Sequence, residues 1–354
     1  MIKKLFLSAI LASASLSAQI VYEGEEGAGK GKHLVFIASD HEYRAEQTCP
    51  ALARILAKHH GFKCTVLFGV DEEGLIKAGA SNIKGLEALE TADGAVVFAR
   101  FLNLPDEQMI HIANYLDKGG PLVGFRTSSH AFRIPKGKTY SHFDFANKEE
   151  DYKGGFGQTY LGNSWEGHYG KNHVQGTRIQ LIPEKKDHPI LIGVQDNAFC
   201  HAGGYMSEIR PGMEALTNTQ PLETMEADGK PVESMPPVAS TWTFSYNGKD
   251  GNPNRVFHST QGASEDLLDE NYRRMAINGI FWSVGLEDGI KADNNVAFVG
   301  PYHPTTFGLG IYIKNQKPED LAGFDSMIGS TEPVPRPPRK NKKNKKKPAE
   351  KAAE

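Results

Sequence analysis

At 354 residues, with 39% hydrophobic and 23% charged side chains, the chain has the composition of an ordinary soluble globule and enough length to bury a large core. Its formal net charge of −3 is unevenly spread: residues 336–354 carry nine Lys or Arg against two Glu, Lys3-Lys4 add two more cations, and the body between is left at about −12. Such a body repels nucleic acid, so no nucleic-acid partner is expected, and no stretch reaches the roughly 18–20 apolar residues of a transmembrane segment.

Lys3-Lys4 precede the apolar Leu5–Leu16, and Ser17-Ala18 meet Gln19. This is the charged, apolar and small-residue order of a secretory signal, cut after Ala18, and it predicts a periplasmic or secreted protein. Residues 19–32 read as a linker. From there strands and helices alternate: a strand over His33–Ser39, a helix over Ala45–His59 with Leu52, Ile55 and Leu56 on one face, and a strand over Phe62–Phe68. A third strand follows at Gly94–Ala99. Pro105-Asp106-Glu107 opens a helix whose Met109, Ile112, Ala113 and Leu116 recur at helical spacing until Gly119-Gly120, and Pro121–Phe125 is the fourth strand. Alternation of this kind predicts an α/β fold with a doubly wound, mostly parallel sheet. Residues 131–235 weaken into Gly-, His- and Asn-rich loops, aromatic enough to be ordered, with short strands such as Arg178–Ile182. Val238–Phe244 and Arg255–Thr260 then read as strands that complete the sheet, and Leu267–Val284 as a helix packed on it. One domain is therefore expected over 33–303, followed by a C-terminal extension (304–329) and a disordered Lys-rich tail (330–354), whose run after Pro338 has no apolar residues to bury. Cys49, Cys64 and Cys200 are odd in number, allowing at most one bridge; buried free thiols are the commoner expectation and a Cys49–Cys64 bridge the alternative.

Three of the strands stop at clusters of reactive side chains: Asp40-His41-Glu42-Tyr43-Arg44, Arg100, and Arg126-Thr127-Ser128-Ser129-His130. Ligands of open α/β sheets bind outside the carboxyl ends of parallel strands, so these groups are expected to converge there, although polar residues also follow any strand into a loop. His41 with Glu42 and His130 are the acid–base candidates, since a carboxylate fixes the tautomer of a nearby imidazole. Asp40, Arg44, Arg100, Arg126 and Thr127 are candidates for binding substrate. The turn at 124–130 holds no cysteine and lacks the glycines of a Gly-x-Ser-x-Gly elbow, which argues against a serine nucleophile, while its hydroxyls and Arg126 suit anions or sugar hydroxyls.

Between Trp165 and His173 lie a third catalytic candidate, His168, and an aromatic platform, Trp165, for a sugar face. His168 and His173 together with His130 form a candidate ligand set for a divalent metal such as zinc, though the spacing matches no fixed zinc motif. His258, near a strand end, either points into the same crevice or is a satisfied core histidine. No nicotinamide or flavin cofactor is expected, because Ser39–Glu42 lacks the glycines of a dinucleotide fingerprint.

These patterns, with Pro121–Thr127, His130-Ala131-Phe132, Gly167-His168, Asp187-His188-Pro189-Ile190 and Arg255-Val256-Phe257 ahead of Asn278–Trp282, resemble the ThuA-like (trehalose utilisation) family of the class I glutamine amidotransferase-like superfamily, over about His33 to Asp288. The resemblance implies a flavodoxin-like core, a role in carbohydrate catabolism and, for ThuA itself, oxidised 3-keto disaccharides. The amidotransferase nucleophile falls at about Arg126 or Thr127 here, which excludes thiol-dependent glutamine hydrolysis. Two expectations follow: an exported enzyme acting on a keto-sugar or related disaccharide by acid–base chemistry, as lyase, isomerase or hydrolase, or a non-catalytic carbohydrate-binding or scaffold protein that uses the same cleft. Nothing in the residue pattern fixes an oligomeric state.

Overall fold

The computed structural model describes residues 19–335, so the signal-like segment 1–18 and the basic residues 336–354 lie outside the described residues. In chain order its first half forms β1 (Gln19–Tyr22), β2 (His33–Ser39), α1 (Ala45–His60), β3 (Lys63–Phe68), β4 (Gly94–Ala99), α2 (Asp106–Asp117), β5 (Leu122–Phe125) and α3 (Gly155–Leu161). The second half adds β6 (His168–Tyr169), β7 (Thr177–Leu181), β8 (Ala198–Cys200), β9 (Gly204–Tyr205), β10 (Glu214–Pro221), β11 (Val238–Phe244), β12 (Val256–Ser259), α4 (Glu270–Ser283), β13 (Tyr302–His303) and β14 (Ile328–Gly329).

The continuous apolar runs sit where both faces are covered, and they pair in parallel in the order β3-β2-β4-β5-β12. Side chains alternate across them. Phe36, Phe98, Phe125 and Phe257 pack with α1 and α4 on one face, and Val35, Val97, Leu122 and Val256 with α2 and α3 on the other. The whole sheet has ten strands in the order β1-β3-β2-β4-β5-β12-β11-β10-β7-β8, and it is mixed rather than mostly parallel. The flanking pairs β1–β3, β12–β11, β11–β10, β10–β7 and β7–β8 are antiparallel; from β7 to β12 the strands follow one another without the α-helical crossover typical of parallel pairing.

Three local outcomes differ from the sequence reading or sharpen it. Residues 19–22, read as linker, alternate buried Ile20 and Tyr22 with less buried neighbours and pair with β3. The helix read as Leu267–Val284 starts at Glu270, because Asp269 caps it by accepting from the amides of Asn271 (2.9 Å) and Tyr272 (3.3 Å). All three cysteines are free and buried. Among the described residues no helix is long and apolar enough to cross a membrane.

Candidate functional site

The carboxyl ends of β2 and β5 are tied together by Asp40. One of its oxygens accepts from the Glu42 amide (2.8 Å) and the Tyr43 amide, and the other accepts from Thr127 Oγ1 (2.9 Å). Asp40 and Thr127 thus spend these groups on each other and on the turn, joining two strand ends. Arg44, at φ 67°, begins α1 and is 1% exposed, with Nη2 3.3 Å from Glu46 Oε1. Its expected place in the crevice is corrected: the chain reverses at Arg44 and sends the guanidinium into the core. His258 is corrected likewise. It is fully buried against Trp242 (4.7 Å between ring centres) under Gly124, and burial pushes its pKa down to about 3, so it is a neutral core histidine.

Arg126 follows β5 in a left-handed conformation, φ 44°, at a sharp turn. Its Nη1 donates to the carbonyls of Gly203 (2.6 Å) and Thr260 (2.9 Å), and the guanidinium lies 3.8 Å from the Tyr43 ring centre and 4.6 Å from that of Tyr205. The side chain is fully buried, with Nε and Nη2 unpartnered within the chain.

Glu42 is the hub of the polar wall. Arg100 Nη1 donates to its Oε2, while Asn172 Nδ2 (3.1 Å) and His173 Nε2 (3.3 Å) meet Oε1; Asn172 Nδ2 also donates to Tyr43 Oη (2.8 Å). Burial opposes ionisation of this carboxyl, but His173, Arg100 and Arg126 outweigh it and hold the pKa at about 2. Glu42 is therefore a fixed anion at neutral pH. The imidazole it orients is that of His173, not that of its neighbour His41.

The other histidines stand close by and are all held neutral. His41 Nε2 lies 3.4 Å from Arg100 Nη1; burial lowers its pKa, with Arg100 adding to that against the pull of Asp40. His130 is 1% exposed, with Nδ1 3.2 Å from Ser129 Oγ and its ring 5.0 Å from Phe101, 5.0 Å from Trp165 and 5.8 Å from Tyr205. Burial, then Arg100 and Arg126, push its pKa well down. The 165–173 loop folds over this edge because β6 pairs with β9, His168 opposite Tyr205, which places the His168 ring 5.5 Å from Tyr205 and 5.9 Å from Trp165. Burial and then Arg126 bring the His168 pKa down to about 4. His168 Nδ1 and Trp165 Nε1 make no hydrogen bond within the chain.

The structure thus gathers His41, Glu42, Arg100, Arg126, His130, Trp165, His168 and His173 at one edge. It corrects the shared-metal set, since among the described residues no three His, Cys, Asp or Glu side chains are grouped to hold a metal ion. His173 turns instead to Glu42 and stacks on Phe307, 4.7 Å between ring centres. Sequence reasoning missed Tyr43, Asn172 and Tyr205, which wall the site, and Phe307. Tyr43 lies inside the Asp40–Arg44 cluster and Asn172 between Trp165 and His173; Phe307 lies beyond the expected domain end and carried no local signal.

No family model and no curated protein matches the chain. Among solved structures it is similar to a ThuA-like protein from Parabacteroides merdae ATCC 43184, at 15% identity over 79% of this chain and 98% of that one, with a TM-score of 0.43. It is also similar to a ThuA-like protein from Bacteroides uniformis ATCC 8492, at 12% identity over 77% and 98%, with a TM-score of 0.46. The family named by both of these structures and the family that the sequence resembles are the same one, ThuA-like.

Proposed function

We propose that the chain is a ThuA-like protein of carbohydrate metabolism that takes a keto-sugar or related disaccharide at the carboxyl edge of the sheet and removes a proton next to its carbonyl. One observation carries this reading: half-buried imidazoles kept neutral, His168 against the indole of Trp165 and His41 3.4 Å from the guanidinium of Arg100. A neutral imidazole is a base. A carbonyl at C3 acidifies the C2–H bond, so His168 takes that proton while the electron pair moves onto the carbonyl oxygen, where a guanidinium stabilises the enolate. The enolate then either regains a proton at C2 or re-forms the carbonyl, making the C1=C2 bond as the C1–O bond breaks, and the departing glycosidic oxygen takes the proton from the His168 imidazolium to leave as an alcohol. His41, against Arg100, is the second candidate base, and the signal-like segment 1–18 supports export to the periplasm or medium.

The competing reading is a carbohydrate binder without turnover, favoured by the enclosure of Arg126, His130 and Tyr205, each at most 2% exposed. Incubation with a 3-keto disaccharide in deuterated buffer separates the two. Loss of the C2 proton signal by NMR is expected with the unaltered protein and is expected to slow by about a hundredfold or more in His168→Ala. Saturable binding of the sugar without exchange at C2 would leave the binder as the correct reading.

A further inference from the structure

The segment 304–335 lies outside the expected sheet domain, yet it walls the candidate site. Its stretch 305–311 crosses directly behind the loop that follows β2. Gly308 N–H donates to the Glu42 carbonyl and Gly310 N–H to the His41 carbonyl, both at 2.7 Å. Thr305 is clamped to α1, its amide donating to Gln47 Oε1 (2.9 Å) and its hydroxyl accepting from Gln47 Nε2 (3.0 Å), while Ser264 Oγ donates to its carbonyl (3.1 Å). Further along, the buried Arg54 anchors the same segment through the carbonyls of Leu321 (3.0 Å) and Ser326 (2.6 Å). The stretch is fixed at both ends, and Phe307, fully buried, is held between them.

Phe307 stacks on His173 at an interplanar angle of 28° and lies 5.3 Å from the Tyr43 ring. His173 has a left-handed backbone, φ 64°, in a Gly-rich loop, so little in its own segment fixes its ring. Its contacts are the Phe307 face and Glu42 Oε1. We propose that Phe307 is a positioning residue of the site: it holds the His173 imidazole edge-on to Glu42 Oε1, which Asn172 shares, and through Glu42 it sets the placement of Arg100 on the other carboxylate oxygen. The ring acts by geometry alone, since an imidazole confined to the plane of the phenyl face can present only its edge to the carboxylate, whereas an aliphatic side chain leaves it free to rotate.

This inference rests on the proposed proton abstraction only for its kinetic arm; the spectroscopic arm stands without any sugar. The 15N resonances of the His173 ring, assigned by their loss in His173→Gln, report which nitrogen carries the proton. In the unaltered protein Nε2 is expected to hold it and donate to Glu42. In Phe307→Leu, which keeps apolar volume but removes the flat face, the two ring nitrogens are expected to move towards a mixture of tautomers, and Phe307→Tyr is expected to restore the original pattern. Glu42→Gln should produce a comparable loss of tautomer preference, with Phe307→Leu adding little in that background because both act through one contact. In the deuterium-exchange assay Phe307→Leu should lower kcat about tenfold with a much smaller change in KM, as expected when the guanidinium that stabilises the enolate more than the bound sugar is misplaced.

Unchanged 15N ring resonances in Phe307→Leu would overturn the proposal, and so would a shift that Phe307→Tyr does not reverse. An unchanged kcat alongside altered resonances overturns the link from Phe307 to the chemistry. Absence of exchange in the unaltered protein removes the proton-abstraction reading instead, and the ring resonances then decide the positioning role alone. Should Phe307→Leu fail to fold, Phe307→Met makes the same test with a more adaptable side chain.

Discussion

Replacing Arg100 by Met should expose what the Glu42 network contributes. The two side chains are 12% and 8% exposed, so the pair is neither a screened surface contact nor a fully desolvated one. Holding a carboxyl at about 2 instead of its ordinary 4.5 corresponds to about 3 kcal/mol, which Arg100 shares with His173 and Arg126 against the cost of burial. Exposed pairs contribute at most about 1 kcal/mol, and removing one partner of a buried pair costs about 3–5 kcal/mol. With Asn172 and His173 still bonded to Oε1, Arg100→Met should therefore cost about 2 kcal/mol at pH 7. The sign of the pH dependence follows from a depressed carboxyl. The contribution is complete above the unfolded value of about 4.5 and is lost as pH falls through the folded value of about 2, so the gap between the two proteins should shrink over that window. Urea unfolding of both proteins at pH 7 and at several points between pH 5 and 2.5 measures it. A gap below about 0.5 kcal/mol at pH 7, or one constant with pH, would refute the argument that Arg100 holds Glu42 ionised.

Three further outcomes are expected. Exchange at C2 should rise with pH through about 4 and then level off, because His168 is a base only when neutral and its pKa is about 4; a profile centred near 6.5 would point to a different base. Thr127→Val should lower stability by about 1–3 kcal/mol in chemical denaturation, since it leaves Asp40 Oδ2 buried without its donor, and Thr127→Ser should recover most of that. Gly124→Ala should cost about 1–3 kcal/mol in the same assay, because a Cβ there would stand 2.6 Å from His258 Nδ1 and 2.9 Å from Leu161; no loss would mean that His258 is not fixed over the strand.

The parallel centre was legible because apolar runs bounded by Gly and Pro report burial on both faces, and the observed β2 and β4 coincide with the runs read from sequence. The antiparallel side was less so. Its strands, such as Glu214–Pro221, mix Thr, Asn and Gln with a single Leu, and their neighbours are set by long loops rather than by local pattern. At the site, the rule that ligand groups gather at strand carboxyl ends located His41, Glu42, Arg100, Arg126 and His130, but residue type could not say which of the charged groups face inward. Arg44 and Arg126 read alike in sequence. One pairs with Glu46 in the core, while the other lies between two tyrosine rings. Phe307 was illegible because its role depends on a contact 134 positions away from its partner His173 in the chain.

Backbone strain supports this location independently of side-chain chemistry. Among the described residues six non-glycine positions have positive φ: Arg44, Phe101, Arg126, His173, Asn197 and Asn315. Asparagine tolerates that region, but long and aromatic side chains do so at a cost of about 1–3 kcal/mol each. The four that are not asparagine all sit at the carboxyl edge: Arg44 where β2 turns into α1, Phe101 after β4 against His130, Arg126 at the turn after β5, and His173 over Glu42. Strain of this kind persists only where surrounding contacts over-determine the backbone, and Phe101, Arg126 and His173 have them. Phe101 donates its amide to the His130 carbonyl (3.0 Å), Arg126 is bonded to two carbonyls between two rings, and His173 is pinned by Phe307. With Arg44 turned into the core, three strained residues from two strand ends and a distant loop still meet at the site, and a folding requirement alone gives no reason for that. A need to hold guanidinium, imidazole and phenyl groups at fixed angles to a ligand does.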